Sequence, residues 1–221
     1  MKKGLTEMVF IIDRSGSMTG LEDDTIGGFN STIKKQKKEE GEAIVTTVLF
    51  DNQYEVIHDR FDIRQVGEMT EEEYFTRGST ALLDAMGSAI QKTINVQRNL
   101  PEEERAEKVV FVVITDGYEN ASCEYSYRDI KRMVEYEQEK YGWEFLFLGA
   151  NIDAVEEGGR LGIRRDRAAR YMHDARGQGL AYESISRAVS EARTDEGITA
   201  AWAESVIEDF ATRGKRGRKK R

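Results

Sequence analysis

Four stretches of the chain are apolar and largely β-branched over the length of a strand: Met8 to Ile12, Ile44 to Phe50, Val109 to Ile114 and, after Trp143, Phe145 to Leu148. Runs without polar alternation suit strands covered on both faces, as in a parallel sheet. Tyr54 to Ile57 is a shorter run, set off from Phe50 by Asp51-Asn52-Gln53, and that hairpin spacing predicts an antiparallel edge strand. Arg167 to His173 is a weaker pattern, assigned to the far edge. Between the runs, apolar residues recur with helical spacing: Ile26, Phe29 and Ile33; Leu83, Met86, Ile90 and Ile94; Tyr127, Ile130, Val134 and Tyr141, with Met133 beside them; Ile185, Ala188, Val189 and Ala192. Lys34, Lys35, Lys37 and Lys38 fall late in the first helix, where cations suit the helix C-terminus, and read as a solvated face. Strands alternating with helices predict a doubly wound, mostly parallel α/β sheet. Ligands of such sheets bind beyond the carboxyl ends of the strands, where the strand order reverses.

Three loops fall where that rule points. Asp13-Arg14-Ser15-Gly16-Ser17-Met18 follows the first strand, Thr115-Asp116-Gly117 follows Ile114, and Gly78-Ser79-Thr80-Ala81-Leu82 precedes the second helix. Alternation lets Asp13, Ser15 and Ser17 point one way while Arg14 and Gly16 point elsewhere. Thr80 stands near a helix N-terminus. Two carboxylates and three hydroxyls form a hard ligand set suited to Mg²⁺, with Mn²⁺ an acceptable substitute, and unsuited to zinc or copper. Taken singly, the serines and aspartates also suit plain turns and helix entries; it is the order of the three motifs that argues for a site. Arg14 either steers a partner's carboxylate or is solvated. Tyr118 and Glu119 are assigned to the rim, and Cys123, His58 and His173 receive no role.

The pattern D-x-S-x-S, then G-S-T, then T-D-G resembles the metal-ion-dependent adhesion site of von Willebrand factor A domains. The resemblance runs from about residue 5 to 193. With Phe147-Leu148-Gly149-Ala150-Asn151, it looks closest to small bacterial or phage proteins of that family. It implies a Rossmann-like, six-stranded sheet with one antiparallel edge strand. It also implies that Ser15 and Ser17 hold Mg²⁺ directly, Thr80 directly or through water, and Asp13 and Asp116 through water. An ion neutralised by two aspartates keeps an open position for an Asp or Glu of a partner protein. The expected organisation is therefore an A-type domain over 1–193, a helical extension over 194–212 and a disordered basic tail over 213–221.

Composition narrows the alternatives. The tail RGKRGRKKR carries seven basic side chains; without it 26 basic residues face 41 acidic ones, a net charge of −15. Such a body disfavours nucleic acid, whose binding is driven by phosphate neutralisation, except through the tail itself. One cysteine and two histidines exclude a Cys/His zinc cage, and the lone cysteine suits a reducing compartment. No apolar run approaches the roughly 20 residues of a membrane span, and Met8 to Ile12 is too short for a signal sequence, so the expectation is a cytoplasmic protein. A Mg²⁺-dependent phosphoryl-transfer enzyme is the rival reading. Yet Ser15 occupies the place where a haloacid-dehalogenase-type phosphatase needs a second aspartate, no acidic pair ends the first strand as in a receiver domain, and no Gly-rich Lys-Ser/Thr loop is present. The expectation is a binding module and not an enzyme.

Overall fold

The computed structural model describes residues 1–194 and 196–218, with side chains as far as residue 214. In chain order the elements are β1 (Lys2–Asp13), α1 (Glu22–Gln36), β2 (Glu42–Phe50), β3 (Tyr54–Asp62), α2 (Leu82–Asn99), β4 (Ala106–Thr115), α3 (Tyr127–Tyr141), β5 (Glu144–Gly149), α4 (Ala154–Arg160), β6 (Ala168–Arg170), α5 (Ala175–Ala192) and α6 (Glu204–Arg218). The strands form one sheet in the order β3-β2-β1-β4-β5-β6. All neighbours pair in parallel except β2 with β3, so the hairpin read from Asp51-Asn52-Gln53 is the antiparallel edge. The pairing of β3 with β2 slips register twice, and Arg60 takes a left-handed φ of 54° within it. The far edge, expected over Arg167 to His173, is only the three residues of β6.

Period-two alternation divides the core between the two faces. Met8, Phe10 and Ile12 of β1 point to a layer shared with α1, α5 and α6, where Phe29, Ile33, Ile185 and Val189 lie. Val9 and Ile11 point to the layer under α2, α3 and α4, with Met86, Ile90, Ile130 and Val134. Burial of both strand faces explains the continuous apolar runs. Helix α3 starts at a capping box made by Ser126 and Asp129 and stops at Gly142, whose φ of 66° suits glycine. Helix α4 has no apolar stripe long enough to announce it; its N-cap, Asp153, accepts from the Glu156 backbone.

The segment past 193 is part of the same core: Ile198, Trp202, Ala203 and Val206 are buried in the layer against α5. The expected start of a disordered tail at 213 falls inside α6. Arg213 lies one helical turn beyond Asp209 and donates to it at 2.8 Å, while its other end reaches Asp174, the N-cap of α5, at 2.5 Å. Two acidic partners in reach make this arginine part of the packed helix. Residues 219–221 lie outside the described residues.

Trp202 fills the layer and donates its indole N–H to the Asp166 carbonyl at 2.8 Å. Trp202→Ala is expected to lower the free energy of unfolding by about 3–5 kcal/mol, as for other buried aromatic truncations, measured by urea denaturation. A loss below about 1 kcal/mol would mean that the segment is peripheral.

Candidate metal centre

Strand register brings three carboxylates level. Asp13 ends β1 opposite Phe50 of β2, and Ile12 faces Ile114 of β4. Asp51 and Asp116 are therefore the first residues beyond two strands that flank β1, and all three aspartates are buried. From β1 the chain proceeds to β2 on one side and later to β4 on the other, so the gap between β1 and β4 is the switch point of the sheet.

Asp13 is fixed by two donors. Its Oδ1 accepts from the Ser15 backbone N–H at 2.7 Å and its Oδ2 from the Thr115 hydroxyl at 2.6 Å. The chain then makes one 3₁₀ turn over Gly16–Met18. That turn sets Ser17 Oγ 3.0 Å from Ser15 Oγ and lets it donate to Asp116 Oδ1 at 2.5 Å. Thr80 arrives from the loop before α2. A methyl group placed on Gly117 would stand 3.4 Å from Ser17 Oγ and 3.6 Å from Thr80 Oγ1, so both hydroxyls border the same glycine. The Thr80 backbone is pinned from both sides by Asn120, whose Oδ1 accepts from Thr80 N at 2.9 Å and whose N–H donates to Thr80 O at 3.0 Å. Asp13, Ser15, Ser17, Thr80 and Asp116 thus surround one opening, with Ser17 its exposed member.

His173, given no role above, enters this group from the loop between β6 and α5. Its Nε2 lies 2.8 Å from Asp116 Oδ2 and 3.2 Å from the Ser17 carbonyl. A carbonyl only accepts, so in the tautomer that carries hydrogen on Nε2 the ring donates to Ser17. The carboxylate contact becomes an ion pair when the ring is protonated, and Asp116 Oδ2 is otherwise buried without a hydrogen bond. Nothing local in the sequence points to this histidine, which stands 57 residues after the aspartate.

Burial raises the Asp13 carboxyl to about 6; nearby Asp116 adds to the rise, while the bonds from Thr115 and Ser15 oppose it. Among the described residues no three His, Cys, Asp or Glu side chains are grouped to hold a metal. A cation here must use hydroxyls as well as the two carboxylates. The donor set fits that demand: every ligand atom is a hard oxygen, two carboxylates balance a divalent charge, and one buried carboxylate oxygen has no hydrogen bond, only the His173 ring nitrogen beside it.

The opening is held in shape from behind. Arg14, expected to be solvated or to steer a partner, is fully buried and points away from the opening. Its Nε donates to Asp51 Oδ2 at 3.1 Å and its Nη2 to Glu55 Oε2 at 2.7 Å. Arg77 donates to the same Asp51 oxygen at 2.7 Å, and both guanidinium groups lie over the Phe75 ring. Backbone bonds complete the tie: Arg77 N to Arg14 O at 2.8 Å, Gly16 N to Gly78 O at 3.1 Å, and Ala81 N to Asp51 O at 2.8 Å. The loop carrying Thr80 is therefore sewn to the loop carrying Ser15 and Ser17. On the other side Asp84 accepts from the backbone N–H groups of Cys123, Glu124 and Tyr125, at 2.8 to 2.9 Å. Glu119, expected at the rim, turns inward to Leu83 N, Ala121 N and Ser122. Tyr118 does stand exposed, and so does Cys123.

No family model matches the sequence, and no curated protein matches it. Solved structures do match in fold. The von Willebrand factor domain of a type V pili tip protein from Porphyromonas gingivalis superposes with a TM-score of 0.58 at 10% identity, covering 88% of this chain and 98% of that one. Manganese-loaded TRAP protein of Plasmodium vivax gives 0.57 at 18% identity, covering 82% and 73%. Proximal thread matrix protein 1 from the mussel byssus, with a zinc-occupied MIDAS motif, gives 0.55 at 13% identity, covering 85% and 46%.

The chain has the von Willebrand factor A fold. It spans less than half of the mussel protein. The A fold accounts for the antiparallel edge and the helices on both faces.

Two outcomes follow from this geometry. Asp51→Ala leaves Arg14 buried beside an empty position and is expected to cost about 3–5 kcal/mol of stability, whereas Arg14→Met with Asp51→Leu recovers most of it. A single variant as stable as wild type in urea would contradict the tie. The second concerns Asp13, whose folded value of about 6 exceeds its ordinary 3.8. Its contribution to stability is full below about 4 and is lost as pH rises through about 6. In chelator, wild type should lose melting temperature relative to Asp13→Asn across that interval; parallel curves would refute it.

Proposed function

We propose that the crevice holds one Mg²⁺, or Mn²⁺ in its place, and through it docks an Asp or Glu side chain of a partner protein. The observation that carries this reading is the buried Asp116 Oδ2, which has no hydrogen bond and only the His173 ring nitrogen at 2.8 Å, beside the hydroxyls of Ser15, Ser17 and Thr80. The resemblance to the metal-ion-dependent adhesion site assigns Ser15 and Ser17 as direct ligands, Thr80 as direct or water-mediated, and Asp13 and Asp116 as water-mediated. When bound, the ion supplies an open coordination position for a carboxylate oxygen.

The chain's own residues do the rest. Thr115 and the Ser15 backbone hold Asp13 in place, and Asn120 holds Thr80. His173 Nε2 stands against the Ser17 carbonyl and the Asp116 carboxylate and, among the described residues, makes no contact with the Ser17 hydroxyl that a base would have to reach. This favours a binding module over an enzyme. A body charge of −15 repels an acidic partner, so the attraction has to be concentrated at the ion. No helix among the described residues is long and apolar enough to cross a membrane; the reading places the domain in the cytoplasm, within a larger assembly.

Calorimetry with Mg²⁺ and Mn²⁺ tests the first half. One ion per chain is expected, with affinity falling by up to about tenfold per pH unit below about 6 as the proton on Asp13 competes. Partner capture from the native host, with and without chelator, tests the second. Thr80→Ala is expected to weaken capture while leaving the melting temperature in chelator unchanged, and Asp116→Ala to act as chelator does. Capture indifferent to both chelator and Asp116→Ala would place the partner surface elsewhere.

A further inference from the structure

At the opposite, amino-terminal end of the sheet, a cavity of about 230 Å³ lies between the last turns of α2 and α3 and the starts of β4 and β5. Its wall is apolar where Ile94, Ala106 and Trp143 face it. Trp143 is held rigid by stacking on Phe111, with ring centroids 5.7 Å apart. Glu137 lines the same cavity on the buried stripe of α3, after Ile130 and Val134, where helical spacing calls for another apolar residue. It is only 2% exposed, yet its carboxylate makes no hydrogen bond or ion pair among the described residues. Burial pushes this carboxyl up, against the pull of Arg98 and Lys140. An unpartnered buried carboxylate is a cost that a leucine at this position would not carry.

The other polar groups around the cavity have partners. Arg105 donates to the carbonyls of Leu100 and Arg98, Glu107 accepts from Gly4 N, the neutral Gln97 donates to Glu7, and the Met1 ammonium lies 3.9 Å from Glu102 at the mouth. Arg98 is the exception. It lines the cavity from its exposed rim, lies close enough to Glu137 to influence its charge, and pairs neither with it nor with any other described group. One carboxylate and one guanidinium thus face a half-apolar chamber without closing on each other. A simple cation would be repelled by Arg98 and a simple anion by Glu137.

We propose that this cavity is a binding site for a free amino acid with an apolar side chain, its ammonium on Glu137, its carboxylate on Arg98 and its side chain against Trp143 and Ile94. An α-amino acid carries both charges within a few ångströms of an apolar group, and it is of a size the chamber can hold. The proposal is independent of the metal crevice, from which the length of the sheet separates it.

The test uses the full chain with L-leucine, L-methionine and L-phenylalanine as probes, read by tryptophan fluorescence and by melting temperature, with 3-methylbutylamine and 4-methylpentanoate as controls lacking one charge each. At least one amino acid should bind saturably, at least tenfold tighter than either control, and equally with or without chelator. Glu137→Gln and Arg98→Gln should each weaken it at least tenfold. Glu137→Met should abolish binding while raising the melting temperature, since it restores the apolar stripe; this separates loss of the ligand from loss of the fold. The proposal is overturned if none of the three amino acids binds, if the amine or the acid binds as well as the amino acid, or if binding survives both charge-removing variants.

Discussion

A guanidinium taken wholly out of water has to meet a carboxylate in the same place, and the pairing of Arg14 with Asp51 is the constraint on which the crevice depends. Arg14 belongs to the loop that carries Ser15 and Ser17, and Asp51 stands at the end of the neighbouring strand. Arg77 shares the same carboxylate and brings the third loop with it. Loops at a sheet end are otherwise free to settle independently. Here their relative positions are set by one buried acid, and the hydroxyls that face the opening inherit that precision. The pair contributes little net stability by itself; its effect is on geometry.

The parts of this arrangement that were legible in the sequence are those written in local pattern. Continuous apolar runs announce strands buried on both faces, and the sheet has them. Asp51-Asn52-Gln53 announces a hairpin, and β3 follows it. Asp13, Ser15, Ser17, Thr80 and Asp116 each sit beside the turn that presents them, so their convergence follows once the strand order is known. What was not legible depends on partners distant in the chain. Arg14 read equally as solvated or as steering a partner's carboxylate because its acids lie 37 and 41 residues away. His173 carried no local sign of its approach to Asp116. Arg213 read as the start of a tail because a run of basic residues hides the two acids, Asp209 and Asp174, that draw one of them into a helix.

The two ends of the sheet treat a buried carboxylate differently. Asp13 is desolvated but answered by a backbone N–H and a hydroxyl, both oriented by the turn that follows it. Glu137 is desolvated and answered by nothing that touches it. The first arrangement fixes a side chain in one orientation; the second leaves a carboxyl facing a cavity with only the more distant charges of Arg98 and Lys140 to offset its burial. Between them lie two continuous apolar layers, with strand residues at or near zero exposure, and close packing of that kind holds each end to its own geometry.

The double register slip in β3 has a consequence for how copies of this domain coexist. A sheet edge with regular, unpaired amides is a template on which another chain can build. Here one edge is bent out of register around Arg60, and the other is a strand of three residues, too short to seed a ladder. Many copies crowded onto one scaffold would therefore not zip together side by side. Neither edge offers a neighbouring copy a regular ladder to extend, and the sheet itself stays sterile toward its own kind.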